Sequence, residues 1–79
     1  MALITKKRTR KTIRDKAKIH DQVDATFFSF LDMAGNRYLQ IDTYGREERV
    51  IPNKISQSFQ IDREAALFLI ELLQREFQE

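Results

Sequence analysis

Eight of the chain's fourteen Lys and Arg residues crowd into Lys6–Lys18, with Asp15 the one acid among them, so the first quarter of the sequence can contribute little to a core. Residues 1–20 carry eight cations against one anion, a net +7, whereas residues 21–79 carry six against eleven, a net −5. Like charges at that density repel one another and stay solvated. Fewer than sixty residues remain to build an interior. A domain of that size buries only about 60% of its unfolded surface and is marginal by itself. There is no cysteine to form a disulfide, and a single histidine without cysteine argues against a structural zinc site. Self-association or unusually dense packing is left as the stabiliser.

The same polarity implies a partner. Clustered cations gain free energy from counterion release at phosphates, so a basic arm on an acidic body suits contact with a polyanion. The candidate phosphate-binding residues are Lys6, Lys7, Arg8, Arg10, Lys11, Arg14, Lys16 and Lys18, interchangeable in role. The competing reading is a leader that merely keeps a small protein solvated. Met-Ala-Leu-Ile at the start is too short for the apolar part of a signal peptide, and no run approaches membrane-spanning length. The expectation is an intracellular protein, cytoplasmic (nucleoid) or nuclear, with no membrane contact.

Residues 1–24 read as a basic arm, flexible or with a short helix. Ile13, Ala17 and His20 fall at i, i+4, i+7 and predict that helix from about Thr12, with disorder through Lys11. His20, beside Asp21, reads as a surface side chain. Residues 25–79 read as one domain. Thr26–Met33 is aromatic and β-favouring, Gly35-Asn36 supplies a turn, and Arg37–Tyr44 alternates, so the two runs predict a hairpin. Leu39 and Ile41 lie on one face of the second strand, with Tyr38, Gln40, Asp42 and Tyr44 on the other. Phe28 and Phe30 point together, opposite to Phe27, Leu31 and Met33; one set must be core, and the other is free to join the tyrosines on the outer face. A polar segment follows, with a short strand at Arg49–Ile51 that Pro52 confines to an edge or an end. Ile55–Ile61 alternates again, with Ile55, Phe59 and Ile61 inward and Ser56, Ser58 and Gln60 outward. Asp62 is the predicted N-cap of a helix running to Phe77. The expected fold is α+β: a small antiparallel sheet of three to four strands, followed by one C-terminal amphipathic helix.

That helix has more apolar surface than one sheet covers. Ala66, Leu69, Ile70, Leu73 and Phe77 form a core stripe, and Ala65, Phe68 and Leu72 a second stripe assigned to a homodimer or to another partner. Catalysis is not expected. There is no Gly-rich phosphate loop, and Asp42, Glu47 and Glu48 flank a turn without nuclease-like spacing. No metal or other cofactor is implied. A binding surface is easier to assemble: Tyr38 and Tyr44 on a polar strand face, rimmed by Arg37, Arg46, Arg49 and Lys54, would stack on unpaired bases. Each tyrosine could equally be an ordinary cross-strand pair.

From about Thr26 to Phe77 the chain resembles the transcriptional coactivator family called positive cofactor four and its bacterial relatives. The resemblance rests on the aromatic hairpin, the polar loop from Gly45-Arg46 to Lys54, and the passage Gln57-Ser58-Phe59-Gln60-Ile61-Asp62-Arg63-Glu64-Ala65-Ala66 into the helix. It implies a curved antiparallel sheet with one helix, dimerisation through the helices, and binding of single-stranded or melted DNA, with a basic N-terminal region in a similar position. Ser56-Gln57-Ser58 stands where the family commonly has a glycine and basic residues. The expectation is therefore a homodimeric, non-enzymatic nucleic-acid-binding protein of transcription or replication, with DNA favoured over RNA. The alternative is a protein-interaction module, an accessory subunit, inhibitor or regulator that docks through the helix.

Overall fold

The computed structural model describes residues 1–45 and 54–78. Four strands, β1 (Ala2–Ile4), β2 (Ala25–Leu31), β3 (Arg37–Tyr44) and β4 (Ile55–Ile61), precede one helix, α1 (Arg63–Phe77). They form a single sheet in the order β1-β4-β3-β2, followed by the helix, which is the α+β class that the sequence predicts. The sheet is mixed and not purely antiparallel: β1 runs parallel to β4, with Ala2, Leu3 and Ile4 opposite Phe59, Gln60 and Ile61. The predicted strand at Arg49–Ile51 lies outside the described residues.

The N-terminus departs most from expectation. Ala2-Leu3-Ile4, which is apolar and β-favouring, pairs with the outer edge of β4. A 3-10 turn at Lys6–Arg8 follows, closed by bonds from Arg8 N–H to the Thr5 carbonyl at 3.3 Å and from the Thr9 hydroxyl to the same carbonyl at 2.7 Å. No helix forms from Thr12. The narrow stripe of Ile13 and Ala17 offers little burial to hold such a helix, and Arg14/Lys18 would stack like charges at i, i+4. Ile13 accordingly stays exposed.

The β2–β3 hairpin is tied by Asp32, which lies just past the end of β2 and not within a strand reaching Met33. Its carboxylate accepts from the Ala34 and Asn36 backbone N–H groups at 2.9 Å each and from Asn36 Nδ2 at 3.1 Å. Gly35 takes a left-handed φ of 87°, where a side chain would be strained. At the far end of β3, a register shift between Thr43 and Tyr44 pairs Ile55 with Tyr44. The bulge turns Ile55 onto the Tyr44 face, so it does not join Phe59 and Ile61 as predicted.

Asp62 caps α1 by accepting the Ala65 N–H at 2.9 Å, and Glu64 sits in the first turn where the dipole favours it. The cap sets the helix phase. Ala65 is the most buried residue described, at 1% exposure, while Ile70, Leu73 and Phe77 are exposed. The roles assigned to the two stripes are therefore exchanged at their buried end: Ala65 is inside, Phe68 and Leu72 are half-buried, and the outer stripe is Ile70, Leu73 and Phe77 with Leu67. The start of the chain comes against the helix at the Lys6–Arg8 turn. No helix among the described residues is long and apolar enough to cross a membrane.

This packing is open. The chain exposes 7967 Å², whereas a folded monomer of this mass exposes about 5000 Å². The radius of gyration is 15.1 Å, against about 12 Å for a compact chain of this length. Residues 9–24 lie outside any strand or helix and are exposed throughout.

Candidate nucleic-acid interface

Strand register decides which side chains share a face. Phe28 opposes Gln40 and Phe30 opposes Tyr38, while Gln40 opposes Gln60 and Asp42 opposes Ser58. Thr26, Phe28 and Phe30 therefore join Tyr38, Gln40, Asp42, Ser58 and Gln60 on one face. The other face carries Phe27, Leu31, Leu39, Ile41, Phe59 and Ile61. An open groove of about 920 Å³ runs along the helix-bearing side, lined by Leu31, Leu39, Ile61, Ala66 and Leu67 with Arg37 at its edge.

On the polar face the rings form a continuous row at the β2–β3 corner. Phe28 and Phe30 have centroids 5.9 Å apart and tilted by 36°, and Phe30 stacks on Tyr38 at 5.5 Å and 21°. Phe28 remains 46% exposed, so the row ends in an accessible ring. Tyr38 donates its hydroxyl to Asp32 at 3.2 Å, linking the ring row to the hairpin clamp. That bond raises the Tyr38 pKa, and the Asn36 N–H groups acting on Asp32 hold its carboxyl below the usual range.

Beside the rings lies a polar ladder. Gln60 Nε2 donates to Gln40 Oε1 at 2.9 Å, Gln40 Nε2 donates to Asp42 Oδ1 at 2.9 Å, and the Ser58 hydroxyl donates to the same oxygen. Asp42 and Ser58 are buried, and the Ser58 bond, followed by that from Gln40, keeps the Asp42 carboxyl lowered and ionised at neutral pH. Every buried side-chain nitrogen or oxygen among the described residues has a hydrogen-bond partner.

The predicted site residues are partly gathered and partly dispersed. Tyr38 and Tyr44 share a face but are six residues apart along β3, about 20 Å, with Gln40 and Asp42 between them. Tyr44 instead bonds the Thr26 hydroxyl at 3.0 Å. Both tyrosines are half-buried, in cross-strand relations of the ordinary kind. Arg37 is on the opposite face, where its Nη1 donates to the Ser29 hydroxyl at 3.1 Å, because adjacent strand residues alternate. It does not rim the rings. Lys54 is exposed at the start of β4, near Tyr44. Arg46 and Arg49 lie outside the described residues. Lys6, Lys7 and Arg8 sit at the β1 edge against α1, about 14 Å of sheet from the β2 edge. Arg10, Lys11, Arg14, Lys16 and Lys18 are exposed along the segment beyond.

Two features were missing from the sequence-based site. Phe28 and Phe30 were legible as a same-face pair, but only their pairing with Gln40 and Tyr38 brings them to the polar face. The Gln40–Asp42–Ser58–Gln60 ladder had a weaker signal, polar residues at alternate positions in two strands, which ordinarily marks a solvated face. The described residues form a small α+β domain with an aromatic corner, a polar centre and a basic N-terminal edge. Comparison with protein families, with curated proteins and with solved structures yields no match.

Proposed function

We propose that the protein binds single-stranded nucleic acid, DNA in preference to RNA, as a homodimer, and serves transcription or replication. The observation that carries this reading is the row Phe28–Phe30–Tyr38, which presents an accessible ring on an open sheet face in a chain whose first twenty residues carry +7. Aromatic faces stack on any base, and cations beside them track the phosphates, the usual design for single strands. The resemblance to the positive cofactor four family implies the same activity. The basic segment starts from β1 and is thereby fastened to the sheet at its first residues, so a strand lying across the face would meet cations at one edge and rings at the other.

The outer helix stripe of Leu67, Ile70, Leu73 and Phe77 supports self-association, since it and the open groove together leave apolar surface that a second copy would cover. The same stripe favours the second reading, a module that docks on a larger protein. Solution mass separates them: a dimer supports the first, and a monomer that is ordered only with a foreign partner supports the second.

The functional test is fluorescence anisotropy of labelled single-stranded and duplex oligonucleotides across a salt series. Single-strand binding should lose affinity with a log–log slope of about −0.7 per neutralised phosphate. A chain starting at Asp21 should bind more weakly without losing binding altogether. Binding that vanishes with the arm, or no binding at low salt, overturns a site on the sheet.

A further inference from the structure

We propose that the cross-strand row Phe28–Gln40–Gln60–Leu3 is a base-reading subsite that prefers an unpaired nucleobase bearing an exocyclic amino group. The inference rests on the single-strand reading and adds a specificity to it. The register places these four residues abreast on one face, one from each strand of the sheet. An aromatic ring stands at one end and an apolar side chain at the other, with two amides between. A pocket of about 280 Å³ lies over the ladder, with Gln40, Ser58 and Gln60 in its floor and Leu3 and Met1 in its wall. That is smaller than the range for drug-sized ligands and suits a single planar base.

The ladder has a direction, and Asp42 sets it. An ionised carboxylate only accepts, so the Ser58 hydroxyl and the Gln40 NH₂ must both turn toward it. Gln40 then offers its carbonyl to Gln60, which answers with its NH₂. One N–H of each amide is drawn inward along the chain of bonds, and the groups left for a ligand are the Gln60 carbonyl, the remaining lone pairs of Ser58 and one further N–H on each amide. The Asp42 charge beneath adds negative potential. Such a pocket rejects phosphate, so the base and not the backbone enters it. It favours the amino groups of cytosine and adenine, and disfavours thymine and uracil, whose pairing edge sets two carbonyl oxygens around one N–H. Phe28, exposed at the end of the row, would stack on the neighbouring base.

The test is competition anisotropy on the full chain with oligo(dC) and oligo(dT) of equal length at one salt concentration, two pyrimidines chosen so that stacking differs little. Oligo(dC) should bind about three- to tenfold more tightly, the range of one net hydrogen bond. Gln60→Leu should bring the ratio to about one, with oligo(dC) losing more affinity than oligo(dT). Gln60→Glu, which keeps an acceptor, should hold or raise the ratio, and circular dichroism establishes that each variant is folded. Equal wild-type binding of both oligonucleotides overturns the subsite and leaves the single-strand reading intact. A preference that survives in folded Gln60→Leu also overturns it, and absence of binding to either oligonucleotide overturns both. Should Gln60→Leu fail to fold, the wild-type ratio and Gln60→Glu decide.

Discussion

On one face of the sheet, Phe30, Tyr38, Gln40, Asp42, Ser58 and Gln60 all find partners inside the chain, ring on ring or donor on acceptor. On the other, Phe27 is 77% and Leu31 54% exposed, and α1 settles near one end while leaving Ile70 and Leu73 half in solvent. The polar face is finished locally because its interactions are directional and short, and neighbouring strands are enough to satisfy them. The apolar face needs area, and a sheet this small with one helix supplies too little of it.

Substitution on the apolar face should have the largest effect. Ile70→Asp with Leu73→Asp removes two side chains whose burial is worth about 1.5–3 kcal/mol each. Analytical ultracentrifugation should show a dimer becoming a monomer, and the melting temperature should lose its dependence on protein concentration. An unchanged mass would show that the helix is not the interface. Next in size, Phe28→Ala should weaken oligonucleotide binding by about 1–3 kcal/mol per base no longer stacked. Phe27→Ala, one residue away on the opposite face, should leave that affinity alone. Equal losses from the two would abolish the division between faces.

Smaller still is Gly35→Ala. Nothing lies within 4 Å of an added Cβ, so the cost is backbone strain at a φ of +87°, about 1–2 kcal/mol. It should lower the urea midpoint without altering the slope. The mildest perturbation is acid. Asp32 and Asp42 have pKa values lowered from 3.8 in the folded chain, so their contribution is fully present above that value and is lost as pH falls through the folded values. Stability should thus be flat from pH 7 to about 5 and decline below about 4. Asp42→Asn should flatten that decline.

Much of the fold was legible. The alternation of Arg37–Tyr44 and Ile55–Ile61, and the cap at Asp62 before an uninterrupted apolar periodicity, locate β3, β4 and α1 at their observed bounds. Each depends on local preference and burial period, which the chain states outright. β1 was not legible, because three residues carry no period and their pairing with Phe59–Ile61 is contact at long sequence distance. Ile55 was misassigned for a related reason. A bulge shifts register by one residue, and that shift exchanges faces. The candidate site divided along the same line. Its cations and tyrosines could be named from composition and alternation, but their distances apart could not.

What sequence by itself determined here is the charge division between residues 1–20 and 21–79, the element types from β2 to α1, and the sharing of a face by Phe28 with Phe30 and by Tyr38 with Gln40. These follow from residue type and a period of two or of about 3.6 residues. Tertiary structure alone decided that Phe28 and Phe30 belong with Tyr38, that Arg37 turns from them, that Asp42 orders a ladder across two strands, and that Ala65 and not Ile70 faces inward. Periodicity says which side chains travel together; the hydrogen-bond register and the phase set by the helix cap say toward what.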